Sequence, residues 1–276
     1  QEENLNEPQQ QINDFSLVGF GEKGKKDWDL QAKSADISTD KVKLKDIIGN
    51  LYTKEANIKL TGDRGDFNKQ DGKVHLEQNV VITTSQGAKL TTDSLDWDRK
   101  NELISTKDKI NIERENIITQ ALGATGIQDL NKIRLEKYVR VDINSPEENQ
   151  NTLNKNKIVI TCYGPLEIDY KKNVAAFKNN VKVDTEDSQI YSDRMDVYFA
   201  PLDKEPAGET GKEPALMGNK IDKIIAQGNV KIVRGENISY SDEATYLASD
   251  KKIVLTGNPK LIIYSREGAL NAPVGN

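Results

Sequence analysis

Apolar residues recur at every second position almost throughout this chain, and that period leaves little besides β-sheet for it to fold into. Val80 and Ile82, Val181 and Val183, and Val230 and Ile232 alternate with polar residues. So do Ile253 and Leu255, then Leu261 and Ile263, with Gly257 and Pro259 marking a bend between the two pairs. Strict alternation gives each strand one buried and one wet face, the pattern of antiparallel sheet. β-Branched residues dominate the buried phase, and turn formers such as Asp71-Gly72, Gln86-Gly87 and Gly228-Asn229 interrupt it. The one segment with a helical reading is 116–127, against which its glycines argue.

The alternation is also repeated. Asn180-Val181-x-Val183 is followed by Tyr191-Ser192-Asp193, Met195 and Val197; Asn229-Val230-x-Ile232 is followed at the same spacing by Tyr240-Ser241-Asp242, Ala244 and Tyr246. A copy one residue longer runs from Asn79-Val80-x-Ile82 to Thr92-Asp93, Leu95 and Trp97. Leu60-Thr61-Gly62 and Leu255-Thr256-Gly257 form a second recurring phrase. Strand-only repeats of roughly 45–50 residues imply a stacked all-β array with one continuous apolar interior.

The segmentation follows from proline and polar runs. A polar leader covers 1–12, a first β domain 13–145, an Asn/Glu-rich linker with Pro146 spans 146–156, a second β domain 157–268, and a tail 269–276. The loop 200–219 holds Pro201, Pro206 and Pro214 among glycines and reads as an excursion from the sheet.

Composition removes several chemistries. Lys+Arg number 39 against 44 Asp+Glu, a net charge of −5 with the signs interspersed, which argues against nucleic acid as a partner. With one histidine, His75, and one cysteine, Cys162, the chain cannot assemble a His/Cys zinc site or an internal disulfide. Cys162 and His75 read as a small buried thiol and an exposed strand histidine rather than a nucleophilic pair. Gly19-Phe-Gly21-Glu-Lys-Gly24 matches a dinucleotide-loop pattern, but Trp28-Asp-Leu30-Gln-Ala32 after it alternates as a strand, so a hairpin is expected. No run approaches the roughly 20 apolar residues of a membrane helix. The first residue is Gln1 rather than Met, so any signal peptide or membrane anchor would lie outside this sequence.

Asp93, Asp193 and Asp242 recur at a fixed place after a turn, which favours a structural role at a strand bend over a catalytic carboxylate. A carboxylate pair acting on polysaccharide remains one alternative, and a structural stalk or adhesin with a packed interior another. The interior phase, rich in Val, Ile and Leu and poor in Phe, would offer aliphatic walls to acyl chains.

Ile158-x-Ile160-x-Cys162-x-Gly164-x-Leu166-x-Ile168, followed by Asn173-Val-Ala-Ala-Phe177-x-Asn179-Asn180-Val181, resembles the opening of an OstA-like (LptA-type) domain of the lipopolysaccharide transport machinery. Ala226-x-Gly228-Asn229-Val230-x-Ile232 and Ile253-Val-Leu255-Thr256-Gly257-Asn258-Pro259 resemble its later turns. The first half, with Trp28-x-Leu30-x-Ala32-x-x-Ala35-x-Ile37 and Leu60-Thr-Gly62 through Asn79-Val80-x-Ile82, is similar to the periplasmic part of the LptC type. A chain of the LptC type ordinarily has one such domain behind an N-terminal membrane helix; here an LptA-like unit follows, and the helix is not in this sequence.

The resemblance implies an elongated, curled antiparallel β-jellyroll (a β-taco) open at both ends. It implies no enzyme activity and no cofactor. The partners would be lipopolysaccharide, the inner-membrane ABC transporter complex, and other jellyroll bridge proteins joined by end-to-end strand addition. The location would be the periplasm, with or without an inner-membrane anchor. Alternation and the resemblance together place Val80, Ile82, Leu95 and Trp97 in the groove of the first half. In the second half they place Ile158, Ile160, Phe177, Val181, Val183, Ile190, Val230, Ile232, Leu255 and Leu261 there. A register slip of one residue would invert any of these strands.

Overall fold

The computed structural model describes residues 10–21, 24–53, 57–85, 87–127, 130, 132–144, 157–200, 221–250 and 252–264. Nine antiparallel strands come first: β1 (Gln10–Phe20), β2 (Lys26–Ile37), β3 (Lys41–Tyr52), β4 (Asn57–Asn68), β5 (Val74–Thr84), β6 (Lys89–Asp98), β7 (Leu103–Arg114), β8 (Ile117–Ile127) and β9 (Lys132–Asn144). Next, β10 (Lys157–Cys162) and β11 (Leu166–Asp169) lie end to end, each pairing with β9 on one side and β12 (Val174–Asp184) on the other. Then follow β13 (Ser188–Phe199), β14 (Ile221–Arg234) and β15 (Asn237–Leu247). Finally β16 (Lys252–Thr256) and β17 (Lys260–Ile262) share β15. All 17 strands belong to one sheet, and no α-helix occurs among the described residues.

Apart from the short strands β10, β11, β16 and β17, each strand is long enough to cross the sheet and bend halfway. The bend is built from bulges, where the register shifts between Glu77 and Val80 on β5, Lys178 and Val181 on β12, and Gln227 and Val230 on β14. A bulge kinks a strand and deepens its twist. Bulges at corresponding places in neighbouring strands fold the sheet along a common crease. Asn79, Asn180 and Asn229 hold φ of 52°, 55° and 48° there, a left-handed conformation that Asn tolerates better than most residues.

The folded sheet encloses apolar side chains from both of its halves. One buried cluster gathers Leu30, Leu44, Leu60, Leu76, Val80, Leu95 and Trp97 with their neighbours; the second gathers Ile110, Leu135, Val141, Leu166, Phe177, Val181 and Val230 with theirs. The interior divides within β7, whose Ile104 belongs to the first cluster and Ile110 to the second. Backbone pairing is continuous past that division and on from β9 to β10 and β11.

Several expectations need correction. Residues 116–127 form strand β8 rather than a helix: Ile117, Thr119 and Ala121 are buried in alternation, and cross-strand pairing overrides weak local preference. Gly228-Asn229 is a bend inside β14, not a turn between strands. Gln10, Gln11 and Ile12, expected in the leader, belong to β1 and pair with Ile37, Asp36 and Ala35. The rest of the leader, the linker 146–156, the loop 201–219 and the tail 269–276 lie outside the described residues. The glycine-rich segment after Gly19 joins β1 to antiparallel β2, as a hairpin must.

Candidate functional site

The residues opposed across successive strands form one unbroken inward row. Leu17 faces Leu30, then Gly49, Leu60, Ile82, Leu90, Ile112 and Thr119. From Thr119 the row passes to Val141, Ile160, Val183, Ile190, Ile232, Ser239 and Leu261. Directly opposed residues share a face of the sheet, so this row runs down one wall of the interior from the first strand to the last.

The other wall carries its own row. Leu166, Phe177, Met195, Ala226, Ala244 and Leu255 oppose one another in sequence, with Leu135 before them. In the first half, Leu44, Gly65, Leu76 and Leu95 do the same. Gly65 is needed there, because a Cβ at that position would stand 2.4 Å from the His75 carbonyl oxygen and 2.8 Å from Ile47.

Ile82, Ile160, Val183, Ile190, Ile232 and Leu261 thus lie on the first wall. Val80, Val181 and Val230 are buried beside the crease. Leu95, Phe177 and Leu255 lie on the second wall, Trp97 further out on it, and Ile158 opposite Ile143 at the outer end of the first. Exposure varies systematically. Val80, Ile82, Leu95 and Trp97 are buried; Ile158, Ile190, Ile232 and Leu255 are only partly so; Leu261 is 60% exposed on β17, beyond which no strand lies among the described residues. A small apolar cavity of about 60 Å³ lies where the two clusters abut, between Ile82, Leu90, Leu95, Ile104, Ile112 and Ala124.

Sequence reasoning did not assign Leu60, Leu90, Ile112, Val141, Leu135, Leu166 or Met195 to the groove, although all lie on these walls. Their alternation was visible, but Gly49, Gly65, Thr119 and Ser239 occupy inward positions and break the apolar pattern.

The crease is polar on its outer side. Asn229 donates to Asp193 at 2.8 Å, Asn79 to Asp63 at 2.6 Å, and Asn258 to Asp242 at 3.4 Å. Asp193 and Asp242 therefore serve a bend, as their recurrence suggests, through side-chain amides of the neighbouring strand. Gly228, at φ 74°, leaves room for the Asp193 carboxylate, 2.4 Å from where a Cβ would stand. Asp93 has no such partner among the described residues.

Cys162 and His75 lie on opposite faces of the sheet. Cys162 points inward and burial pushes its thiol pKa up, which disfavours the nucleophilic thiolate. His75 lies on the outer face with Nδ1 2.7 Å from Asp96. Among the described residues, no three His, Cys, Asp or Glu side chains converge to hold a metal ion, and no helix is long and apolar enough to cross a membrane.

A single curled antiparallel sheet with two aliphatic walls defines an elongated β-jellyroll. A family model described as lipopolysaccharide-assembly, LptC-related, matches residues 1–144. A second, described as LptA/(LptD N-terminal domain) LPS transport protein, matches residues 165–271. The chain belongs to the LptC-related lipopolysaccharide-assembly family, with an LptA-type domain in its second half. It is a bridge component of lipopolysaccharide transport, and the bridge families are periplasmic and non-enzymatic. No curated protein matches the chain.

Proposed function

We propose that the acyl chains of lipopolysaccharide travel along the interior of this sheet, between the row from Leu17 to Leu261 and the opposing row through Phe177 and Leu255. The observation that carries the reading is the continuity of the first row across the junction of the two halves, at Val141 opposite Ile160. Each acyl methylene moved from water to such walls gains about 0.8 kcal/mol. Chains are therefore held strongly, yet can slide where successive walls are alike.

The two halves act as one conduit. The 13–145 unit takes lipid from the inner-membrane ABC transporter, and the 157–268 unit passes it toward the outer membrane. The partly exposed walls around Ile190, Ile232 and Leu255 supply the accessible section, while the first half opens when lipid arrives. Among the described residues β1 at one end and β16 with β17 at the other each pair on one side only, and these edges receive neighbouring jellyroll proteins by strand addition. An inner-membrane anchor upstream of residue 1 would fix the first half beside the transporter.

The test is retention of hexa-acylated lipid A by the purified full chain, read by native mass spectrometry. Ile232→Glu puts a charge on the wall and should lower retention at least tenfold with the fold intact. Retention unaffected by Ile232→Glu, or no lipid held by the parent protein, would overturn the reading and favour a packed stalk.

A further inference from the structure

The crease carries a second feature on its outer side, backed by Val80 and Ile110 of the interior. Along the crease, strands running in one direction place a residue just before the buried aliphatic of the bend. It is Asp46 before Ile47, Asn79 before Val80, Asn180 before Val181 and Asn229 before Val230. These are the residue types that a left-handed bend favours. Two strands depart from the rule: Lys109 precedes Ile110 on β7, and Tyr138 precedes Val139 on β9. Tyr138 holds φ 51° although an aromatic residue gains nothing locally from that conformation, and its side chain is 68% exposed. Strain of this kind persists where a function uses it.

Both departures line the same open concavity of about 820 Å³, together with Asn79, Thr91, Asp93, Asn111 and Gln120. Thr91, Asn111 and Gln120 oppose one another across β6, β7 and β8, on the face opposite to Leu90, Ile112 and Thr119. The replacement at Lys109 also has an electrostatic effect. Asp63 and Asp193 each accept from the crease Asn of the next strand, but Asp93 meets Lys109 in that position and forms neither hydrogen bond nor ion pair with any described residue. Lys109 likewise has no partner among them. Beside Tyr138, in the bend between β10 and β11, Tyr163 is 62% exposed, and its carbonyl oxygen accepts from the Tyr138 N–H at 2.9 Å.

From this we infer that the concavity is a carbohydrate-binding site. A flat phenol ring offers its face to the C–H side of a pyranose. The carboxylate, amides, hydroxyl and ammonium around it match the paired donors and acceptors of sugar hydroxyls. Saccharide of this chemistry could come from a cell-wall glycan or from the sugar portion of a glycolipid whose acyl chains lie in the groove.

The full chain is titrated with a β-1,4-linked N-acetylglucosamine tetramer and, separately, with deacylated core oligosaccharide released from lipopolysaccharide, both read by calorimetry. Saturable binding of either or both supports the site and names its source. Tyr138→Asn and Lys109→Asn each install the residue type found at the corresponding bends. Both variants should melt no lower than the parent and retain lipid A unchanged, but bind saccharide at least tenfold more weakly. No binding of either saccharide at millimolar concentration would overturn the inference, as would folded variants that bind as tightly as the parent.

Discussion

Trp28 and Trp97 meet edge to face, ring centroids 5.8 Å apart and planes at 88°. They sit on β2 and β6, which are separated in the sheet by β3, β4 and β5, so the contact is made across the interior rather than along it. Arg99 caps the pair, its guanidinium 4.0 Å from the Trp28 ring centroid and 5.5 Å from that of Phe67. Gly19 makes room on the neighbouring strand, since a Cβ there would stand 2.0 Å from the indole nitrogen of Trp28. The two walls of the first half are thus bridged by aromatic contact, whereas those of the second half are partly exposed.

Arg99→Ala removes the cation from two aromatic faces and should cost about 1 kcal/mol of unfolding free energy. The same change should raise the rate at which a fluorescent fatty acid enters the first half. Urea denaturation and stopped-flow fluorescence measure the two effects; an unchanged entry rate would show that this contact does not limit access.

The crease depends on residues that tolerate a left-handed backbone. Asn229→Ala loses both the bond to Asp193 and part of that tolerance, and should destabilise by about 1–2 kcal/mol. Asn229→Gly loses only the bond, so it should cost less. Thermal unfolding of the pair of variants separates the conformational contribution from the hydrogen bond.

The junction of the two halves is sensitive to acid. Asp142 on β9 is held below the usual carboxylate range chiefly by hydrogen bonds from Arg140, at 2.7 and 2.9 Å, against the opposing effect of burial, with Lys157 of β10 adding 2.9 Å away. Glu167 on β11 is lowered in the same sense, first by Lys178, and it also pairs with Arg134 of β9. A carboxylate with a depressed folded pKa contributes its full stability above its unfolded value, near about 4, and loses it as pH falls through the folded value. Unfolding free energy should therefore decline between about pH 4 and pH 2. Asp142→Asn should cost about 1 kcal/mol at neutral pH, given the partial exposure of its partners, and flatten that decline. Equilibrium denaturation across the pH range checks both.

The strand content and the inward phase were legible because a period of two is written into Val80/Ile82, Val181/Val183 and Val230/Ile232. The repeat also disclosed the structural character of Asp193 and Asp242. What alternation cannot express is how far the walls approach each other. Trp28 and Trp97 are 69 positions apart in sequence order and on opposite walls, so nothing local announces their contact. Bends hide for a related reason: Gly228-Asn229 has turn composition, yet the chain continues in the same strand because a bulge needs the same left-handed residues as a turn. Leu261 keeps the inward phase but remains exposed, because burial depends on a neighbour and no described strand lies beyond β17.

Central to the account is that lipid lies on the inward row. A photoreactive amino acid at Ile232, on the partly exposed section of that row, is compared with one at Lys231 beside it, which alternation turns to the outer face. After lipopolysaccharide is loaded and the sample irradiated, the account predicts a crosslinked lipopolysaccharide adduct from position 232 and none from position 231. Equal labelling from the two positions, or labelling from 231 alone, would contradict it.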